Sequence, residues 1–283
     1  MEKIGIITDS AFDLRPGQYD DSIVKVLPLK IAFSDGEYKD GVTISAEETY
    51  RRMDEEIPKT SLPDGSDMQA ALEYFTDHGF THIVGIFISA GLSGTGNAFR
   101  QFSEDYQDRL TIENIDSLSL SLGEGILVQL AEKLIKEGKA FTDVIDAVKA
   151  AIKKINVYFV LDTLEYLIKG GRIGKVSGTI GQLLNLKPVI HINDEGIYHS
   201  VDKGRGKAQA MKKMLKIIEE EYLTRGDCNV YVLHGGSPAE GQKMLEQVQQ
   251  LKGVRDSYTD QITPSLGVHT GKGLIGVIIE EAW

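Results

Sequence analysis

The chain has 283 residues, 41% of them hydrophobic and 26% charged, and a net charge of −11. That balance is ordinary for a soluble globular protein, and the acidity argues against a nucleic-acid surface and against general adhesion to anionic lipid. The length favours two domains. No apolar run approaches the about 20 residues that span a bilayer, and one cysteine, Cys228, leaves no internal disulfide and fits the cytoplasm.

The opening MEKIGIITDS enters a strand-like run at once and shows no signal-peptide pattern. Strand-like runs follow at IGIIT (Ile4 to Thr8), IVKVLPLKIAF (Ile23 to Phe33), HIVGIFI (His82 to Ile88) and LTIENI (Leu110 to Ile115). Helical patterns lie between them. Ser45 with Glu48 three residues on reads as a capping box, SDMQAALEYFTDHG places Met68, Leu72 and Phe75 on one face, and GEGILVQLAEKLIKEG stops at Gly138. Strands alternating with helices predict a mostly parallel sheet with helices on both faces.

After the helix TDVIDAVKAAIKKI the pattern changes. VYFVLD (Val157 to Asp162), a hairpin through Asp194-Glu195-Gly196, a basic helix within Lys203 to Lys216, the strand NVYVLHGG, the helix SPAEGQKMLEQVQQL and the strand LIGVIIEE suggest a mixed α/β domain. The boundary is expected near Asn156, giving domains 1–156 and 157–283 that pack closely, because no Pro-rich linker separates them. Lys203, Arg205, Lys207, Lys212, Lys213 and Lys216 read as a solvated helix face or as a docking site for something negative.

Three chemistries can be tested against SAGLSGTGNAF (Ser89 to Phe99). As a nucleophile elbow, Gly91-Leu92-Ser93-Gly94-Thr95 lacks the final glycine of G-x-S-x-G, and no spacing selects a histidine among 191, 199, 234 and 269. The dinucleotide and P-loop fingerprints are both incomplete. Metal ligation finds only His78 and His82, separated by the helix-ending Gly79. Asp9, after the first strand, is an acidic candidate for which a cap or turn role is equally open. What remains is an anion holder: a Gly-rich loop entering a helix, with Ser93 and Thr95 as hydroxyl donors. The loop KTSLPD (Lys59 to Asp64) adds Thr60 and Ser61 before Pro63, and VHTGKG places His269 between two strand-like runs. Tight turns alone would explain each loop as well.

At these residues the chain resembles the DegV family, the fatty-acid-binding proteins that serve as the acyl-carrying subunit of bacterial fatty acid kinase. TDSAFDL, KTSLPD, SAGLSGTGNAF, IDSLSLSLGEG, LEYLIKGGRIG, NLKPVIHINDEGIY, KGRGKA and GVHTGKGLIG carry the resemblance, in order and nearly end to end. It implies a two-domain α/β protein with a long-chain fatty acid between the domains, no other cofactor, no metal and no catalytic residue of its own. The carboxylate is expected at Thr60, Ser61, Ser93, Gly94 and His269, with Arg205 and Arg172 facing a phosphate or partner. A separate fatty acid kinase would phosphorylate the bound carboxylate for phospholipid metabolism, with at most transient membrane contact. The alternatives are a serine esterase or phosphotransferase using Ser93 and His269, and a lipid-sensing regulator.

Three positions depart from the family's motifs. Ala90 replaces a serine and removes one donor. Asp64 replaces a serine and is expected to cap the following helix rather than face an anion. Lys272 replaces a proline, giving a looser loop with a cation available to a phosphorylated product. Glycines in GEGILVQLAEKL and VSGTIGQLLNL would let a tail approach the backbone or let elements pack closely.

Overall fold

A computed structural model describes residues 2–179 and 185–282. The first part of the chain runs β1 (Ile4–Asp9), β2 (Val24–Leu27), β3 (Lys30–Phe33), β4 (Gly36–Lys39), α1 (Ala46–Arg52), β5 (Lys59–Ser61), α2 (Gly65–Asp77), β6 (His82–Phe87), α3 (Thr95–Ser103), β7 (Thr111–Asp116), α4 (Leu122–Lys136) and α5 (Phe141–Ala151). Four of these strands form an all-parallel sheet in the order β2-β1-β6-β7. Alternation along β6 sends Ile83 and Phe87 to one face, against Phe75 and Phe99 of α2 and α3. Val84 and Ile86 face the other way, against Leu127 of α4 and Val148 of α5. Both faces are covered, as the apolar runs predict.

The run Ile23 to Phe33 is not one strand. Pro28 has no N–H for a ladder and restricts the residue before it. The chain therefore leaves the parallel sheet after Leu27, and β3 pairs antiparallel with β4 and β5 in a small separate sheet. The capping box forms in half: Ser45 Oγ accepts from the Glu48 amide, while the Glu48 carboxylate pairs with Arg51 instead.

The second part runs β8 (Ile155–Val160), α6 (Glu165–Lys169), β9 (Leu186–Ile192), β10 (Tyr198–Arg205), α7 (Lys207–Ile218), β11 (Cys228–His234), α8 (Pro238–Val248), β12 (Thr259–Gln261), α9 (Pro264–Thr270) and β13 (Ile275–Glu281). Its sheet has the order β10-β9-β8-β13-β11-β12, antiparallel except at β11–β12. The change of sheet falls at β8. Tyr158 and Val160 turn toward α7 and α8, whereas Val157 and Phe159 turn toward the parallel sheet and share one apolar core with α4. The two sheets thus meet through a common apolar layer.

The hairpin at Asp194-Glu195-Gly196 closes as read, with the Gly196 amide donating to Asn193 O at 2.8 Å. The basic run divides: Lys203 and Arg205 belong to β10, and the helix starts only at Lys207, after Gly206. VHT is the end of helix α9 rather than a loop between strands, because Pro264 opens a helical turn there. Residues 180–184 of VSGTIGQLLNL lie outside the described residues. Among the described residues, no helix is long and apolar enough to cross a membrane.

Candidate functional site

Three segments converge where the two sheets meet. β5, bracketed by Pro58 and Pro63, is an edge strand that sets Thr60 opposite Ile31. The turn after β6 is closed by the amides of Leu92 and Ser93, which donate to Ser89 O at 2.9 and 3.0 Å. Gly91 of that turn lies against the hairpin of the second half. A Cβ there would come within 2.6 Å of Ile197 and 2.8 Å of the Gly196 carbonyl, so only glycine lets the hairpin close over the turn. α9 supplies the third segment.

The Nε2 atom of His269 lies 2.7 Å from the Thr60 hydroxyl. Ser93 Oγ lies 2.8 Å from the hydroxyl of Thr95. Arg172 donates through Nε to Leu92 O at 3.2 Å and through Nη1 to Gly170 O at 2.6 Å, and so ties the KGGRIG segment to the SAGLSGT turn. Thr60, Ser61, Ser93, Arg172 and His269 line one cavity of about 210 Å³, whose remaining wall includes Leu29, Ile88, Leu92, Tyr198 and Leu266. Tyr198 and Leu266 also border a void of about 30 Å³ between the sheets, walled by Leu120, Val157, Phe159, Leu233 and Ile278. On the other side, Thr60, Arg172 and His269 are shared with an open vestibule of about 460 Å³ that carries Lys59, Tyr166 and Lys169. The arrangement is polar at one end and apolar at the other.

Burial pushes His269 down to about 4, with the Arg172 charge acting in the same direction, so the ring is neutral at pH 7. The cavity therefore offers neutral donors beside one guanidinium. Ser93 and His269 each bond a different hydroxyl, Thr95 and Thr60 respectively, and no nucleophile–base hydrogen bond links them.

Of the remaining residues singled out in the sequence, Gly94 is the exposed N-cap residue of α3 and does not line the cavity. Arg205 is exposed at the end of β10, away from the cavity and the vestibule. Lys213 and Lys216 pair with Asp202 and Glu220, which leaves the basic helix partly neutralised by the chain's own acids. Asp64 stands at the N-cap of α2, yet its carboxylate makes no cap bond; it pairs with Lys30 at 2.7 Å, a stronger partner than an amide. Lys272 pairs with Asp54 at 2.6 Å rather than reaching the cavity. Asp9 takes the turn role: its buried carboxylate accepts from the amides of Ala11 at 2.9 Å and Ile88 at 3.2 Å.

Sequence reasoning passed over Asp13 and Asp40, both almost fully buried near α9. Asp13 stands in TDSAFDL, but nothing in that motif announces a partner 250 positions away.

A family model for uncharacterised proteins of the DegV family matches residues 3–282. The chain belongs to the DegV family. A DegV domain-containing protein of Clostridium acetobutylicum is 42% identical over 279 residues, covering 99% of both chains. Another, from Clostridium perfringens, is 38% identical over 281 residues, again covering 99% of each. Among solved structures, a fatty-acid-binding DegV family protein of Thermus thermophilus superposes with a TM-score of 0.91 at 27% identity, covering 99% of each chain. A stearic-acid-binding protein of Eubacterium ventriosum gives a TM-score of 0.85 at 28% identity, over 99% of this chain and 98% of that one. The mixed α/β architecture, with one parallel and one mixed sheet, is thus the DegV architecture.

Proposed function

We propose that this chain binds one long-chain fatty acid. The carboxylate rests among Thr60, Ser61, Ser93 and His269, and the tail runs past Tyr198 and Leu266 into the apolar layer. The carrying observation is the gradient just described: neutral donors and one guanidinium at the mouth, and beyond the shared Tyr198 and Leu266 a small void bordered by apolar side chains between the sheets. A fatty acid matches both ends. Burial of each CH₂ is worth about 0.8 kcal/mol, so the tail supplies most of the affinity and the hydroxyls fix its direction. The DegV relatives that bind fatty acids support the same ligand class.

The finer reading is that the bound carboxylate is offered through the vestibule to a separate kinase, which phosphorylates it with ATP in the cytoplasm. Lys59, Lys169 and Arg172 around that opening suit a partner that brings negative charge. Two domains, 1–156 and 157–283, would hold the ligand between them, which the change of sheet at β8 supports. The separate hydrogen bonds of Ser93 and His269 weigh against an esterase.

Native mass spectrometry of the protein, stripped of lipid and then given stearic acid, tests the first part. One equivalent of added mass is expected, and no uptake would sink the proposal. Acyl phosphate trapped as a hydroxamate, formed only when kinase, ATP and loaded protein are combined, tests the second.

A further inference from the structure

By chain order α9 belongs to the second half, since β12 before it and β13 after it both lie in the mixed sheet. Most of its packing is with the first half, α6 being its main neighbour from the second. Val268 sits in a small core with Ile31, Phe33 and Ile44. The two amides that flank Pro264 are held by carboxylates of the first half: Thr263 N donates to Asp13 Oδ1 at 2.7 Å, and Ser265 N to Asp40 Oδ1 at 3.2 Å. Arg15 adds a tie just upstream, to Asp260 at 3.0 Å.

The acids are themselves fixed. Asp40 Oδ2 accepts from Ser10 Oγ at 2.6 Å, and Asp13 Oδ2 accepts from Ser121 Oγ. Ser121 has φ 59 with ψ −148, a backbone state that non-glycine residues rarely occupy, whereas Asp13, at φ 54, is in the left-handed region that Asp tolerates better than most residues. The unusual backbone of Ser121, hydrogen-bonded to Asp13 beside the start of the helix that carries His269, marks a place whose geometry is specified rather than incidental.

We propose that Asp13 and Asp40 are positioning residues that anchor the first turn of α9 and so set where His269 stands in the cavity. The helix has seven residues, fewer than two full turns, and His269 lies four positions after Ser265. A rigid element that short transmits a shift at its start to the imidazole. In relation to ligand, the inference rests on the fatty-acid reading above.

The test reads His269 directly. The ¹⁵N resonances of its ring are followed in ligand-free protein, and stearate dissociation constants are measured for the wild type, Asp40→Ala, Asp40→Asn, His269→Ala and the Asp40→Ala/His269→Ala double variant. Asp40→Ala is expected to move the His269 resonances and to weaken stearate about tenfold, misplacement of a contact group being costly. Asp40→Asn keeps an acceptor for the Ser265 amide and should restore both readouts. In the double variant, Asp40→Ala should add less than about twofold, because both changes remove one function.

Unmoved His269 resonances, or fully additive effects on stearate, overturn the anchor. If Asp40→Ala does not fold, Asp13→Ala reads the same displacement through the other carboxylate. Should His269 move while no variant, the wild type included, takes up stearate, the anchor stands and the fatty-acid reading fails.

Discussion

At the scale of single residues, the cavity depends on three hydroxyl-bearing or imidazole side chains that are each held by one neighbour. Ser93 is oriented by Thr95, and Thr60 by His269. A hydrogen bond from a neutral hydroxyl to a charged head group contributes about 1–3 kcal/mol, so Ser93→Ala should weaken stearate binding roughly 5- to 150-fold. Titration of the lipid-free protein measures this, and an unchanged constant would remove Ser93 from the head-group site. Thr60→Val should cost at least as much, since it removes a donor and also frees the His269 ring. His269 is held neutral by burial. A carboxylate arriving beside it favours the protonated form, so its pKa should rise from about 4 on stearate binding, a change followed in the same ring resonances.

At the scale of elements, the approach of α6 to α9 is set by one missing atom. A Cβ on Gly170 would fall 2.2 Å from His269 Nδ1. The φ and ψ there, −78° and −9°, are open to any residue. Gly170→Ala should therefore leave the backbone of α6 intact, displace the imidazole and weaken stearate binding with little loss of melting temperature. A wild-type affinity would show that His269 yields without consequence. The same helices mark how much the sequence disclosed. β1, β6, α2 and α4 were legible because each repeats its pattern long enough to fix a period. Ser93, Thr60 and His269 were legible through motifs that recur in a family. α9 was not: PSLGVHT is short, holds a proline, a glycine and β-branched residues, and a helix of that length owes its stability to tertiary contacts. Those contacts come from Asp13, Asp40 and the core around Ile31, far away in the chain, and no local window contains them. Pro28, by contrast, was in plain view, and its missing N–H was the signal that one apolar run served two sheets.

At the scale of the whole molecule, the junction between the sheets is stocked with buried acids whose titration governs stability. Burial raises Asp9 and Asp13 to about 7 and Asp40 to about 6, against hydrogen bonds that pull the other way. Glu124 is pushed well above its ordinary value by burial and by the charge of Asp9. Each of these groups binds its proton more tightly in the folded state than in the unfolded chain. Between an unfolded value near 3.8 and the folded value, the native protein holds more protons, so stability falls as pH rises. Three histidines act oppositely: burial lowers His191 and His269 to about 4 and lowers His234 as well, so they destabilise the fold as pH drops below 6.5. Above about pH 6.5 the histidines are neutral in both states for the most part, and the acids act with little opposition. Urea unfolding should therefore show the protein gaining stability as pH falls from about 8 to about 6.5, by at most about 1.4 kcal/mol per pH unit for each titrating carboxyl. Asp13→Asn, which cannot ionise but keeps an acceptor for the Thr263 amide, should flatten part of that slope and raise stability at pH 8. A profile that instead rises toward pH 8, or an Asp13→Asn variant whose slope matches the wild type, would mean that burial does not set the protonation of this carboxyl. The anchor of α9 would then be a fixed charge rather than a group poised near neutrality.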